Sequence, residues 1–293
     1  MFNCFKKREK EECSNNKIIP NNEAIFVNNL GNYDFDIALF EHKLIKKGEI
    51  YDVYKIIINN EKYICKLYKK TYTREYRNEI HILKQIYSNT FFPYFFKNLV
   101  NTNYRFVMYK YLDGYDLSTF NTLNTYSLKD DKSICTITNQ ILQALLSLIE
   151  LNYIYLNLQP TNVIISKFKP IKIKLIDLKY CQHLNDKKKK PYRAYGYCSP
   201  EVVFQKKYYY NSDIWSLGCL IFFIYTNTHL FSENSCFYFD EILNFKEFSK
   251  NNIEKYNLTE FSYSLIKKCL INLHVMRPTH EEIIKFIGKY NFK

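Results

Sequence analysis

The sequence predicts an α+β chain of two unequal lobes, a small sheet-rich one followed by a larger, mainly helical one. Three observations carry that reading. Between residues 40 and 68, short runs rich in Ile, Tyr and Val are broken by Gly48 and by Asn59-Asn60, as in a twisted antiparallel sheet with hairpin turns. In residues 73–87 the apolar positions Tyr76, Ile80, Leu83 and Tyr87 recur at three- and four-residue steps, which is the period of one helical face. Farther on, Ile134, Ile137, Ile141, Leu145 and Leu148 draw a single stripe on a long helix, and residues 213–225 are apolar nearly all round, as in a helix enclosed by a core.

Taken in order, residues 1–35 are polar, carry the block Lys6-Lys7-Arg8-Glu9-Lys10-Glu11-Glu12 and have no sustained period, so a flexible N-terminal extension is expected. Cys4 beside that block is a candidate for lipid attachment, although no second anchoring signal accompanies it. The first lobe is assigned to residues 36–109. Its one helix turns Arg74, Arg77 and Lys84 to solvent, and the strand-like residues 105–109 close it. The second lobe, 110–293, opens on the connector Tyr111-Leu112-Asp113-Gly114 and holds two strand-like pieces, 163–166 and 171–176, between its helices. There is no internal repeat, and the run Lys187 to Lys190 is the one low-complexity piece.

Composition narrows the classes. With 47% hydrophobic and 18% aromatic residues in 293, the chain can build a substantial core and does not read as disordered. The longest apolar run, 217–225, falls far short of the roughly 20 residues of a membrane helix, and the charged N-terminal block is unlike a secretory signal. A cytoplasmic or otherwise intracellular protein without a transmembrane segment is expected. Nine cysteines with no Cys-x-x-Cys pair and six scattered histidines suggest neither a disulfide framework nor a zinc site. The formal charge of +13 is attributed to a solvated lysine-rich surface, since no nucleic-acid-binding motif accompanies it.

Function turns on the segment Tyr155-Leu156-Asn157-Leu158-Gln159-Pro160-Thr161-Asn162-Val163. Its spacing is similar to the His-Arg-Asp-Leu-Lys-Pro-Glu-Asn-Val catalytic loop of protein kinases. Other motifs agree in order and distance: Tyr63-Ile64-Cys65-Lys66, the helical Glu79-Ile80-His81-Ile82-Leu83-Lys84, Ile176-Asp177-Leu178-Lys179, Ser199-Pro200-Glu201, Ser212-Asp213-Ile214-Trp215-Ser216-Leu217-Gly218, and Arg277-Pro278-Thr279. From Gly48 to Arg277 the chain thus resembles the eukaryotic protein kinase superfamily. The resemblance implies a bilobal protein-kinase-like fold with a β-rich N-lobe containing one helix and a mainly helical C-lobe. It further implies that Lys66 holds the α- and β-phosphates of ATP, that Glu79 orients Lys66, and that Asn162 and Asp177 hold Mg2+. Gly48 and Val53 would cover the phosphates, Ile64 would face the adenine, the Leu112 backbone would bond it, and Asp116 would reach the ribose. Glu201, Asp213 and Arg277 belong to the family's structural set, which can persist without catalysis.

The departures concern chemistry. Asn157 stands at the catalytic-aspartate position, and an amide has no proton-accepting equilibrium near neutral pH. No other Asp or Glu lies between Asn152 and Asp177, and losing a general base typically costs about 10² to 10⁴ in rate. Gln159 replaces the loop lysine, Tyr155 and Leu156 replace His and Arg, and Ala194 replaces the threonine that bonds the catalytic aspartate. Residues 178–198 contain no Ser or Thr; their hydroxyls are Tyr180, Tyr192, Tyr195 and Tyr197. In the phosphate-covering loop only Gly48 remains of three glycines, with Lys46 and Tyr51 at the other places, and a Tyr side chain obstructs phosphate approach. Ile64 narrows the adenine end, and Lys179 stiffens the hinge after Asp177-Leu178. The expected function is a catalytically impaired pseudokinase, an ATP-responsive scaffold or allosteric regulator of a protein partner such as an active kinase, with ATP and Mg2+ as its candidate ligands. The competing expectation is a divergent, active Ser/Thr protein kinase that transfers the ATP γ-phosphate to protein hydroxyls. A basic RNA-associated module is a third class, resting on net charge and the run Lys187 to Lys190 alone.

Overall fold

Strand β1 (Glu41–Lys46) doubles back near Gly48 into β2 (Tyr51–Ile58), which turns at Asn59 and Asn60 into β3 (Glu61–Tyr68). Both turn asparagines have positive φ, 48° and 63°, a region asparagine enters more readily than most residues. At Gly48 the constraint is space, because a Cβ there would run into the Tyr51 carbonyl. Two further strands, β4 (Phe95–Val100) and β5 (Arg105–Lys110), complete an antiparallel sheet in the order β1-β2-β3-β5-β4. In this computed structural model the described residues are 37, 40–100, 104–123, 127–186 and 195–290. The extension 1–35 with Cys4, the run Lys187 to Lys190, Tyr192 and Ala194 lie outside them.

The two-residue period of β3 splits the lobe's chemistry between its faces. Tyr63 and Cys65 turn one way, into a small core with Ile56, Ile58, Phe106 and Met108. Ile64 and Lys66 turn the other way and border the cleft between the lobes, and Tyr68, on that same face, is buried in the main core. Register pairs Val53 with Lys66 and Tyr51 with Tyr68, so Tyr51 and Val53 share that inner side. Against it packs helix α1 (Thr73–Gln85), whose buried stripe Tyr76, Glu79, Ile80, Leu83 includes a carboxylate. Tyr87, expected on that stripe, lies past the helix end and is 65% exposed; Ile86 takes the last buried position.

The second lobe begins with β6 (Tyr115–Asp116), α2 (Leu117–Thr122) and α3 (Asp131–Ile149), followed by β7 (Tyr153–Ile154), β8 (Val163–Lys167), β9 (Lys172–Leu175) and β10 (Gln182–His183). Strands β6, β8 and β9 form one small sheet, and β7 pairs with β10. The segments just before β8 and just after β9 are thereby brought side by side beneath the first sheet. Helices α4 (Pro200–Gln205), α5 (Ser212–Thr226), α6 (Ser235–Asn244), α7 (Asn251–Tyr256), α8 (Glu260–Cys269) and α9 (His280–Ile287) complete the lobe. Residues from Ser212 to Ile224 of α5 are all buried, and α5 approaches α8 so closely that a Cβ on Gly218 would stand 2.7 Å from Cys269 Cβ. Among the described residues, no helix is long and apolar enough to cross a membrane.

Candidate functional site

The loop between β7 and β8 is shaped through its backbone. Asp213, in the first turn of α5, accepts hydrogen bonds from the N–H groups of Tyr155 (2.9 Å) and Leu156 (2.8 Å), and Leu156 bends through φ 56°. Burial pushes the Asp213 carboxyl up to about 7 despite those two donors. Tyr155 donates its hydroxyl to the Ile176 carbonyl, which ties the loop to the residue before Asp177. Asn157 follows, 2% exposed. Its Nδ2 donates to the Asp177 carbonyl oxygen at 3.0 Å and to Asp177 Oδ2 at 3.1 Å, while its Oδ1 accepts from Gln159 Nε2 at 3.3 Å. Asn162 Nδ2 bonds the Asn157 carbonyl at 2.8 Å. The side chain at position 157 therefore points donors at Asp177.

Asp177 itself has φ 69° and gathers donors on both oxygens. Oδ1 accepts from Lys66 Nζ at 2.9 Å and from the Tyr51 hydroxyl at 2.7 Å, and Oδ2 accepts from Lys179 Nζ and Asn157. Lys66 also pairs with Glu79 at 2.7 Å, and Glu79 in turn accepts the hydroxyls of Tyr68 and, at 2.6 Å, Tyr109. The Tyr51 ring lies 4.6 Å from Lys66 Nζ and 4.8 Å from Lys179 Nζ, within cation–π range of both. Burial opposes ionisation of Asp177, but the Lys179 and Lys66 ammonium groups hold its carboxyl well below the usual range. Burial likewise opposes the charge on Lys66, which Asp177 and Glu79 more than restore. For Lys179, burial and the neighbouring Lys66 outweigh Asp177 and pull the ammonium pKa down.

Gly48, Val53, Ile64, Lys66, Leu112, Asp116, Asn157, Gln159, Asn162 and Asp177 border a single cleft of about 610 Å³, with Glu79 standing behind Lys66. Asp116 is engaged as the N-cap of α2, accepting from Thr119 N and Thr119 Oγ1, both at 3.0 Å, and from Ser118. The apolar end, between Val53, Ile64 and the Leu112 segment, suits a flat aromatic base. The other end is a poor fit for Mg2+. A hard divalent cation takes about six oxygen ligands, and both Asp177 oxygens here already face two donors each, one of them an ammonium group. Sequence reading marked Tyr51 as an obstruction and Lys179 as a stiffened hinge. It missed that both turn inward onto Asp177. The backbone of Lys179 carries no positive φ; the left-handed residue is Asp177, two positions earlier, and Lys179 sits in a 3₁₀ turn at Leu178–Tyr180.

Glu201, Asp213 and Arg277 stand outside the cleft. Arg277 grips Glu201 in a buried two-pronged pair, Nη1 to Oε1 at 2.8 Å and Nη2 to Oε2 at 3.1 Å, and Ser212 Oγ adds a bond at 2.8 Å. Burial works against the Glu201 charge, but the Arg277 bonds outweigh it and lower its pKa. Of the tyrosine run 208–210, Tyr209 stacks on His274 at 3.6 Å between ring centres, whereas Tyr210 is exposed.

A five-stranded lobe over a helical one, with a buried Lys-Glu pair at the cleft between them, defines a protein-kinase-like protein. Residues 40–286 match the family described as "Protein kinase domain", and the chain belongs to that family. It is similar to the "Probable dual specificity protein kinase YAK1 homolog" of Encephalitozoon cuniculi, 30% identical over 167 residues that make up 53% of this chain and 38% of the relative. It is also similar to the serine/threonine-protein kinase CLA4 of Candida albicans, 29% over 146 residues (49% and 15%), and to the serine/threonine-protein kinase ULK3 of Xenopus laevis, 30% over 123 residues (41% and 26%). The chain thus matches well under half the length of these curated relatives.

Proposed function

We propose that this chain is a pseudokinase, a protein-kinase-like protein that binds a nucleotide but transfers phosphate slowly or not at all, and that it regulates a protein partner, such as an active kinase, by its conformation. The observation that carries the reading is the Asn157 amide, which donates to Asp177 at 3.0 and 3.1 Å where proton acceptance would be required. The acidic residues that border the cleft do not take over. Glu49 accepts the Tyr72 hydroxyl at 2.7 Å, Asp116 caps α2, and Asp177 is surrounded by donors. A nucleotide would act as a structural ligand that favours the closed lobes by mass action.

The second reading, a divergent active kinase, is favoured by the assembled Lys66-Glu79 pair at 2.7 Å, because phosphoryl transfer depends largely on positioning and charge. Incorporation of labelled phosphate, with Lys66→Ala as control, separates the two. The pseudokinase reading expects equal, background incorporation by the wild type and the control. Incorporation by the wild type that disappears in the control would establish the active kinase instead.

A further inference from the structure

Lys179 is paired with the Asp177 carboxylate and enclosed on both sides. Its side chain sits between the rings of Tyr51 and Tyr180, 4.8 and 4.5 Å from their centres, and the residue is only 6% exposed. The 3₁₀ turn that aims it at Asp177 is pinned from the other lobe, since Asn78 Nδ2 on α1 donates to the carbonyls of Lys179 and Cys181, both at 3.0 Å. The ammonium group meets Asp177 Oδ2 on the side of the carboxylate opposite Lys66. A divalent ion at Asp177 would have to displace Lys179, Asn157 and Tyr51, and would then face repulsion from Lys66 at 2.9 Å from the same carboxylate.

We infer that Lys179 replaces the divalent cation, so that the cleft binds an adenine nucleotide without magnesium. This rests on the nucleotide-binding reading above and sharpens it. Two ammonium groups, on Lys66 and Lys179, supply the positive charge that would face the phosphates, and Asp177 serves to hold both in place. On this inference a chelator leaves nucleotide binding by this chain unchanged.

The test is ATP binding by calorimetry in excess EDTA and in excess MgCl2, for the wild type and for Lys179→Gly, with Lys179→Ser in its place if the glycine variant does not fold. The expected result is a wild-type Kd that agrees within about twofold between the two conditions, and a variant that weakens in EDTA by about tenfold relative to magnesium. A wild type that weakens about tenfold in EDTA overturns the inference, and so does a variant as indifferent to metal as the wild type. If the wild type binds no ATP in either condition, the nucleotide reading fails, and Mn2+ alone, followed by electron paramagnetic resonance, decides the role of Lys179. Mn2+ bound by Lys179→Gly, released on adding Asp177→Asn, and not bound by the wild type supports Lys179 as the occupant. Mn2+ bound by the wild type, or by no variant, overturns it.

Discussion

Asn157 and Asp177 are matched as donor and acceptor, and restoring an acid at position 157 would set two carboxylates about 3 Å apart, judging from the present 3.1 Å contact. Asn157→Asp alone is expected to lower stability by about 1–3 kcal/mol, because a buried acceptor loses its donor and gains a like charge. Thermal melts at pH 7 and pH 5 check this. The penalty should shrink at the lower pH, where the new acid takes up a proton and the repulsion ends. His280 behaves in the opposite sense. Burial pulls its pKa down to about 4, and its Nε2 has no hydrogen-bond partner among the described residues. The unfolded chain binds a proton there near the ordinary value of about 6.5, so between that pH and about 4 the unfolded state is favoured and stability falls as pH falls. In His280→Phe the unfolding free energy from urea titrations should drop less between pH 7 and pH 5 than in the wild type, the difference approaching about 1.4 kcal/mol per pH unit below the ordinary histidine value.

Elements whose residues signal locally were legible in the sequence, and those made by distant pairing were not. Asn59-Asn60 announces the β2–β3 hairpin, and the stripe from Ile134 to Leu148 gives the helix Asp131–Ile149. Strand β4 escaped notice because Phe-Phe-Lys-Asn-Leu-Val does not alternate and acquires its strand character by pairing with β5. The candidate site divides in the same way. Lys66, Glu79, Asn162 and Asp177 could be named from motif spacing, whereas the Tyr51–Asp177 bond joins residues 126 positions apart and leaves no trace in either neighbourhood. Asp116, assigned to a ribose on family spacing, lines the cleft and is also the cap of α2, a role that the Leu-Ser-Thr after it announces. The α5–α8 contact offers a test of packing at this scale. Gly218→Ala would press a methyl group against Cys269 and Leu270, where 2.7–3.0 Å is available. A loss of about 1–3 kcal/mol in denaturant-derived stability is expected, with the m-value unchanged.

At the level of the whole molecule, the lobes meet through a cluster in which Tyr51, Lys66 and Glu79 come from the first lobe and Asp177 and Lys179 from the second. Lys66 is the shared member. Its removal leaves Glu79, which is fully buried, without a counter-charge, and Lys66→Ala is expected to cost about 3–5 kcal/mol. Hydrogen exchange should then rise together in β3, α1 and the 178–180 turn, since all three lean on the same ammonium group. Exchange that rises in β3 alone would mean that the Asn78 bonds to Lys179 and Cys181 hold α1 and the turn together without Lys66.

Asp213 holds peptide groups, not side chains, when it bends the chain at Tyr155 and Leu156. A brace of that kind is blind to the letters it supports. The curve can stay intact while the side chains riding on it are exchanged, so the shape of this loop says nothing by itself about which reactive groups it carries.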